Sequence, residues 1–336
     1  MATFTTNGTF SSGTSTNFYD GSITFALAGL RGSSLYFLGE AYRTLTAEDS
    51  GVLDQAFIYD LSFADGALNQ LGTRRFDAVR MFRLGEGNDF LDLTPRSGPS
   101  AAPEYALDVT ARGGPGDDTL WGGAGVNRFF GGLGEDSLVG GNAPDTLDGG
   151  AEADRLNGLG GADLLRGGAD DDQLRGGTGD DILEGGGGDD LLFGEDGHDL
   201  LEGAGGTDLL EGGAGDDDLS GGAGADRIVG GSGDDSLSGR TTENGKGDGE
   251  RDEFVYLAED NGADTIQAFE HGLDKIDVGA LAIGDPTQQA IWFATQVGRI
   301  DQSLYRVELS SGTANYGLIE VEVRSGMALT LSDFLF

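Results

Sequence analysis

Between Gly113 and Ser238 the chain repeats one nine-residue phrase fourteen times without insertion or deletion. The phrase approximates G-G-x-G-x-D-x-U-x, where U is a bulky apolar residue. Glycine stands first in all fourteen phrases, from Gly113 to Gly230. Aspartate stands sixth in thirteen: Asp118, Asp136, Asp145, Asp154, Asp163, Asp172, Asp181, Asp190, Asp199, Asp208, Asp217, Asp226 and Asp235, with Asn127 in the remaining one. The eighth place is apolar throughout, from Leu120 and Phe129 to Ile228 and Leu237. A fixed period of this kind marks a stacked array, because one such unit cannot bury its apolar side chain alone.

One apolar residue between two mostly polar ones suits a three-residue strand that turns a single side chain inward. The other six residues must then turn, and glycines at places one, two and four open backbone conformations closed to other residues. Two strands and two turns make an eighteen-residue coil, so fourteen phrases predict about seven coils, two parallel sheets and a length on the order of 34 Å. The fold class expected is all-β, a parallel β-roll. A collagen helix is excluded because its glycine period is three.

Stacking sets the aspartate of one phrase beside that of the phrase after next, Asp163 near Asp181 and Asp181 near Asp199. Two carboxylates about 4.8 Å apart repel by roughly 3.5 kcal/mol at an effective dielectric of 20. The whole chain carries −39, and residues 113–238 hold 29 acidic residues against five arginines, a balance of −24. Nucleic acid is a poor partner for such a field. The roll needs a counter-ion, and carboxylate plus carbonyl oxygens favour Ca2+ over magnesium, which demands tighter octahedral geometry. The chain has no cysteine and two histidines, so zinc lacks its usual ligands. One ion per gap along two edges gives about 10–12 calcium ions, and about twelve would match the charge of the array. Without calcium the same Gly- and Asp-rich segment is expected to be disordered.

The substitutions cluster. Ala143 and Glu152 replace fourth-place glycines, as does Asp170; Pro144 precedes Asp145; Leu159, Glu195 and Ala204 replace second-place glycines. With the neutral Asn127, these predict that the gap between the Asn127 and Asp145 turns binds calcium weakest or not at all.

The phrases GGPGDDTLW, GGTGDDILE, GGGGDDLLF and GGSGDDSLS resemble the repeats-in-toxin (RTX) family. That resemblance implies a right-handed calcium-binding roll and, as further metal ligands, Asp89 in the degenerate phrase LGEGNDFLD at 84–92. A segment similar to the cap that follows such rolls, residues 251–281, adds Asp252, Asp264 and Asp274, with Asp277 beside them. The domains expected are an N-terminal β-rich domain at 1–83, a degenerate first coil with a Pro-rich insertion at 84–112, the roll at 113–238, and a C-terminal cap with secretion signal at 239–336. The final LSDFLF resembles the uncleaved signal of type I secretion. The family's route is export of the unfolded chain through an ABC transporter, adaptor and outer-membrane channel, so the expected location is secreted, extracellular or cell-surface. The amino terminus shows no basic and apolar leader, and no apolar stretch reaches membrane-spanning length.

The flanks say less. Strand-like runs occur at 22–27, 34–38, 56–63 and 78–84. His198 and His271 are the sole histidines, H-E-x-x-H and G-x-S-x-G are absent, and no catalytic residue is assigned. Regular Thr and Asn ranks suited to ice binding are missing from the turns. Outward seventh-place residues form apolar ladders, Leu164, Ile182 and Leu200 on one face, Leu191 and Leu209 on the other. They mark either a contact surface or a patch covered by the chain's own terminal domain. Three readings of function stay open: a non-enzymatic structural, self-assembling or adhesive element; a secreted enzyme or effector acting through the N-terminal domain; and a calcium buffer without further activity.

Overall fold

The computed structural model describes residues 57–58, 81–83, 88, 90–93, 108–239, 249–257, 262–281, 288–289, 292–293, 296–300, 303–311, 314–323 and 327–336. The expected strands at 22–27 and 34–38, and the insertion at 94–105, lie outside these residues. Of the other two N-terminal runs, Phe57–Ile58 and Met81–Arg83 are strands and pair in parallel. The chain divides into two units at Gly167 and Gly168.

In the first unit, Val109–Pro115, Asn127–Leu133 and Thr146–Ala151 stack in parallel in one sheet. Phe90–Asp92, Thr119–Trp121, Ser137–Gly141 and Arg155–Gly160 stack in the other. The register advances eighteen residues per coil, Phe129 against Leu147 and Leu138 against Leu156, as the nonapeptide period requires. Phe90–Asp92, the end of the degenerate phrase, joins the same stack, with Leu91 against Leu120.

The second unit repeats the scheme. Gln173–Thr178, Leu191–Asp196, Leu209–Ala214 and Arg227–Ser232 form one ladder; Ile182–Gly187, Leu200–Gly205, Asp218–Ala223 and Ser236–Ser238 form the other. The ladders do not stop at Ser238. Ala263–Phe269 pairs in parallel with Ser236–Ser238, Glu253–Val255 with Arg227–Ser232, Lys275–Asp277 with Glu253–Val255, and Phe334–Leu335 with Lys275–Asp277. Ala314–Val323 continues one sheet in parallel, then Leu304–Ser311 and Val297–Arg299 close it antiparallel. These additions continue the second unit's stack past the fourteen phrases from which about seven coils are expected.

The core of each unit is a column of eighth-place side chains. Leu120, Phe129, Leu138 and Leu147 are fully buried in the first unit, and Leu174 through Leu237 in the second. Phe254, Ile266, Ile276 and Val321 extend the second column beyond the nonapeptides. Each inward residue rests on its equivalents one coil away, Leu192 between Leu174 and Leu210. Its neighbour Leu191 points out and is 39% exposed. Leu192→Ala should therefore cost about 2–5 kcal/mol in calcium, whereas Leu191→Ala should stay within about 0.5 kcal/mol. Urea titration of the two variants checks the contrast.

Most strands are longer than the expected three residues. Leu200–Gly205 and its equivalents run from the seventh place through the third of the next phrase. The reason is that stacked turns hydrogen-bond to one another as the strands do, for example Gly188 N–H to Gly205 O at 2.9 Å and Gly197 N–H to Ala214 O at 2.8 Å. The chain bends at second- and fourth-place residues with positive φ, such as Gly186 and Gly188 at 120° and 130°. Where glycine is lost, Glu152, Leu159, Asp170, Glu195 and Ala204 still adopt φ of 72–77°. Residues with a Cβ enter this region at a cost, which the register of the stack imposes.

Candidate metal centre

The sixth-place side chains are buried although they are carboxylates: every ladder aspartate from Asp118 to Asp235 is 0–3% exposed. Within each unit these carboxylates are held by the coil before them. In the first unit Asp136 Oδ1 accepts the N–H of Asp118 at 2.7 Å, and Asp154 Oδ1 that of Asp136 at 2.7 Å. On the other edge Asp145 Oδ1 accepts from Asn127, and Asp163 Oδ1 from Asp145 at 2.7 Å. In the second unit the bond recurs from Asp172 to Asp190, Asp181 to Asp199, Asp190 to Asp208 and Asp199 to Asp217, all at 2.8 Å. It continues from Asp208 to Asp226 and Asp217 to Asp235 at 3.0 Å.

The second oxygen of each carboxylate is the informative one. Oδ2 of Asp136, Asp145, Asp190, Asp199, Asp208, Asp217 and Asp235 is buried without a hydrogen-bond partner. It lies against the first-place glycine of its own phrase. A carbon added at Gly140, Gly185 or Gly194 would collide with Oδ2 of Asp145, Asp190 or Asp199 respectively. This explains why that column is unbroken: glycine there leaves room for the carboxylate to turn inward.

A buried, half-bonded anion is costly unless a cation compensates it. Burial pushes the carboxyl of Asp136 up to about 8, those of Asp154, Asp163, Asp190 and Asp217 to about 7, and those of Asp208 and Asp235 to about 6. The backbone N–H bond opposes the shift in each case, while neighbouring aspartates add to it in most, as Asp118 and Asp154 do at Asp136. Asp145 rises to about 6, burial being opposed by the backbone and side-chain N–H groups of Asn127.

The donor set fits calcium. No group of three or more metal-ligating side chains occurs among the described residues. The ladder supplies carboxylates one per turn, so backbone carbonyls must complete any shell, a mixture that suits a flexible oxygen-coordinated ion and gives zinc no site.

Beyond the nonapeptides, Asp252 Oδ1 accepts from Asp226 at 3.1 Å, Asp264 Oδ1 from Asp235 at 3.0 Å, and Asp274 Oδ1 from Asp252 at 3.2 Å. All three are buried and prolong the two ladders. Asp274 Oδ2 also accepts the N–H of Glu270, at 2.7 Å. Asp277 stands in a strand and bonds Gly279 N–H instead. Asp89 lies outside the described residues.

A second, exposed ladder was not anticipated. Fifth-place side chains accept the N–H of the fifth residue one coil later: Asp117 from Glu135, Asp171 from Asp189, Asp189 from Thr207 and Asp216 from Asp234, at 2.8–3.1 Å. At these turns carboxylates stitch the stack in both directions. Its signal was present in the Asp-Asp pairs at 117–118, 171–172, 180–181, 189–190, 216–217 and 234–235. Asn88 opens this ladder by accepting from Asp117, and His198 serves in it: His198 N–H donates to Asp180, and Nδ1 accepts the N–H of Asp216 at 2.9 Å. His271 is structural too. Its Nδ1 lies 2.9 Å from Oδ2 of the buried Asp333, which also accepts from the N–H and hydroxyl of Thr330. Asp333 thereby holds the final residues in place, where Phe334 and Phe336 pack edge-on against Trp292.

Comparison with known families gives a match to the RTX calcium-binding nonapeptide repeat, over residues 110–138, 139–174, 166–201, 175–210 and 202–237. Among solved structures the chain is similar to the AlgE6R3 subunit of the Azotobacter vinelandii mannuronan C5-epimerase, at 27% identity and a TM-score of 0.26, covering 50% of this chain and 78% of that one. Comparison with curated proteins returns no match.

Proposed function

We propose that this chain, whose residues 110–237 match the RTX calcium-binding nonapeptide repeat, is a secreted calcium-binding β-roll protein that folds when it meets extracellular calcium. The observation that carries the reading is the buried row of half-bonded carboxylates. A cytosol poor in calcium leaves sites of roughly 10⁻⁴ to 10⁻³ M affinity empty, and an external medium fills them. Uncompensated repulsion along the ladder then keeps the chain extended during passage through a type I transporter, adaptor and outer-membrane channel. The C-terminal LSDFLF is the export signal in this reading, and after export its Phe334–Leu335 strand joins the end of one sheet.

Outside the cell the roll acts as a structural, self-assembling or adhesive element. Supporting this, Ile182 and Leu200 stand side by side on one face at 40% and 43% exposure, and Leu191 stands beside Leu209 on the other sheet. Paired outward aliphatic side chains on both sheets of the roll are apolar area that association would bury. Light scattering on the full chain should show calcium-dependent oligomers that weaken in an Ile182→Ser/Leu200→Ser variant. A particle that stays monomeric in saturating calcium would sink the self-assembly.

A further inference from the structure

We infer that the Asn127 turn closes without an ion, the side-chain amide of Asn127 standing where the aspartate turns require a cation. Asn127 is fully buried. Its Nδ2 donates to Gly125 O at 2.8 Å, to Gly123 O at 3.2 Å and to Oδ1 of Asp145 at 3.1 Å. Its Oδ1 faces the N–H of Gly123 at 3.4 Å. Two backbone carbonyls and a carboxylate therefore converge on one nitrogen. This is a calcium-type set of oxygens, drawn in around N–H donors at distances longer than the 2.3–2.6 Å typical of Ca–O bonds. The orientation of the amide follows from its neighbours, since turning it over would set an oxygen against three acceptors.

The amide nitrogen occupies the place that Oδ2 takes elsewhere. A carbon added at Gly122 would meet Nδ2 of Asn127, as one added at Gly140 meets Oδ2 of Asp145. In an aspartate turn that atom is an acceptor and needs a cation between it and the carbonyls; in this turn it is a donor and bonds them directly. The backbone is adapted to the change. Gly123 and Gly125, and Gly141 and Ala143 in the next turn of that edge, are outside the set of second- and fourth-place residues that take positive φ. The sequence-based expectation of a weak gap thus has a specific form: the ligands are present and already occupied by the protein's own amide.

The inference rests on the calcium reading of the ladder and makes one position decisive. Asn127→Asp removes the internal donor and restores an anion, so it should add one calcium ion per chain. Native mass spectrometry of the full chain in saturating calcium reads this directly. Asn127→Ala should add none, because the carbonyls lose their donor without gaining a carboxylate. An independent reading on the wild-type protein is an X-ray structure with calcium, which should show Nδ2 on Gly123 O and Gly125 O and no ion between the 127 and 145 turns. An ion bonded to either carbonyl overturns the inference even if the variants do not fold. Equal, non-zero calcium counts for wild type and Asn127→Asp overturn it while leaving the calcium roll intact. A wild-type chain that binds no calcium overturns both.

Discussion

Excess chelator at pH 8 is expected to abolish the parallel β-structure of the folded chain and to expand its radius on the order of twofold, with recovery when calcium is returned. The size of the effect follows from the ladder. Each stacked carboxylate pair left bare costs roughly 3.5 kcal/mol at an effective dielectric of 20. Three such pairs cost about as much as the 5–15 kcal/mol that stabilises an ordinary domain. The second unit alone stacks Asp181, Asp199, Asp217 and Asp235 on one edge and Asp172, Asp190, Asp208 and Asp226 on the other. The leucine column cannot offset that, because it grows by one side chain per phrase while the ladder grows by one charge per phrase.

Calcium reverses the balance by mass action. Ten sites each at ten times their Kd contribute about 14 kcal/mol in total, and at Kd only about 4 kcal/mol. Folding therefore switches within about one decade of calcium concentration, although no single site is tight. Far-UV circular dichroism and dynamic light scattering across a calcium titration check both the loss and the steepness. Magnesium in equal excess should restore little. A roll that keeps its β signal and its radius under chelator removes the basis for an ion-dependent fold.

Much of this architecture could be read from residues 113–238, because there sequence period and structural period coincide. Every sixth-place aspartate and eighth-place apolar residue lands where an eighteen-residue coil puts it. The continuation past Ser238 was harder to read because the period breaks while the stack does not. The ladder steps from Asp226 to Asp252, from Asp235 to Asp264 and from Asp252 to Asp274, across 26, 29 and 22 residues instead of 18. The strands on either side of the added residues keep the register, so Phe254, Ile266 and Ile276 fill the same column with no repeat to announce them.

The fifth-place ladder was missed for a different reason. An Asp-Asp pair reads as surplus charge until stacking shows that the first aspartate bonds one coil and the second the other. The lost glycines show how far tertiary context overrides local preference. Leu159 and Glu195 are poor residues for a left-handed turn, yet they hold φ of 76° and 77° because bonds above and below fix the path of the chain.

Stripped of calcium, the chain is expected to regain β-structure when acidified from pH 8 to about pH 5, because protons can neutralise the same carboxylates. The sign follows from the direction of the shifts. Burial raises Asp136 from 3.8 to about 8, Asp154, Asp163, Asp190 and Asp217 to about 7, and Asp145, Asp208 and Asp235 to about 6. A group raised on folding binds more protons in the roll than in the open chain between its two values. Its contribution to stability is complete below the ordinary value of 3.8 and is lost as pH rises through 6 to 8. In chelator the roll should therefore gain stability down to about pH 4, opposite to the usual paired carboxylate, whose contribution is lost in acid. With calcium present the same groups compete the other way: lowering the pH through that window weakens calcium binding, and binding within it releases protons. Circular dichroism in chelator at the two pH values tests the first statement. Calorimetric titration of calcium in two buffers of different ionisation enthalpy tests the second. A β signal in chelator that is unchanged or weaker at the lower pH would show that carboxylate charge is not what opens the roll.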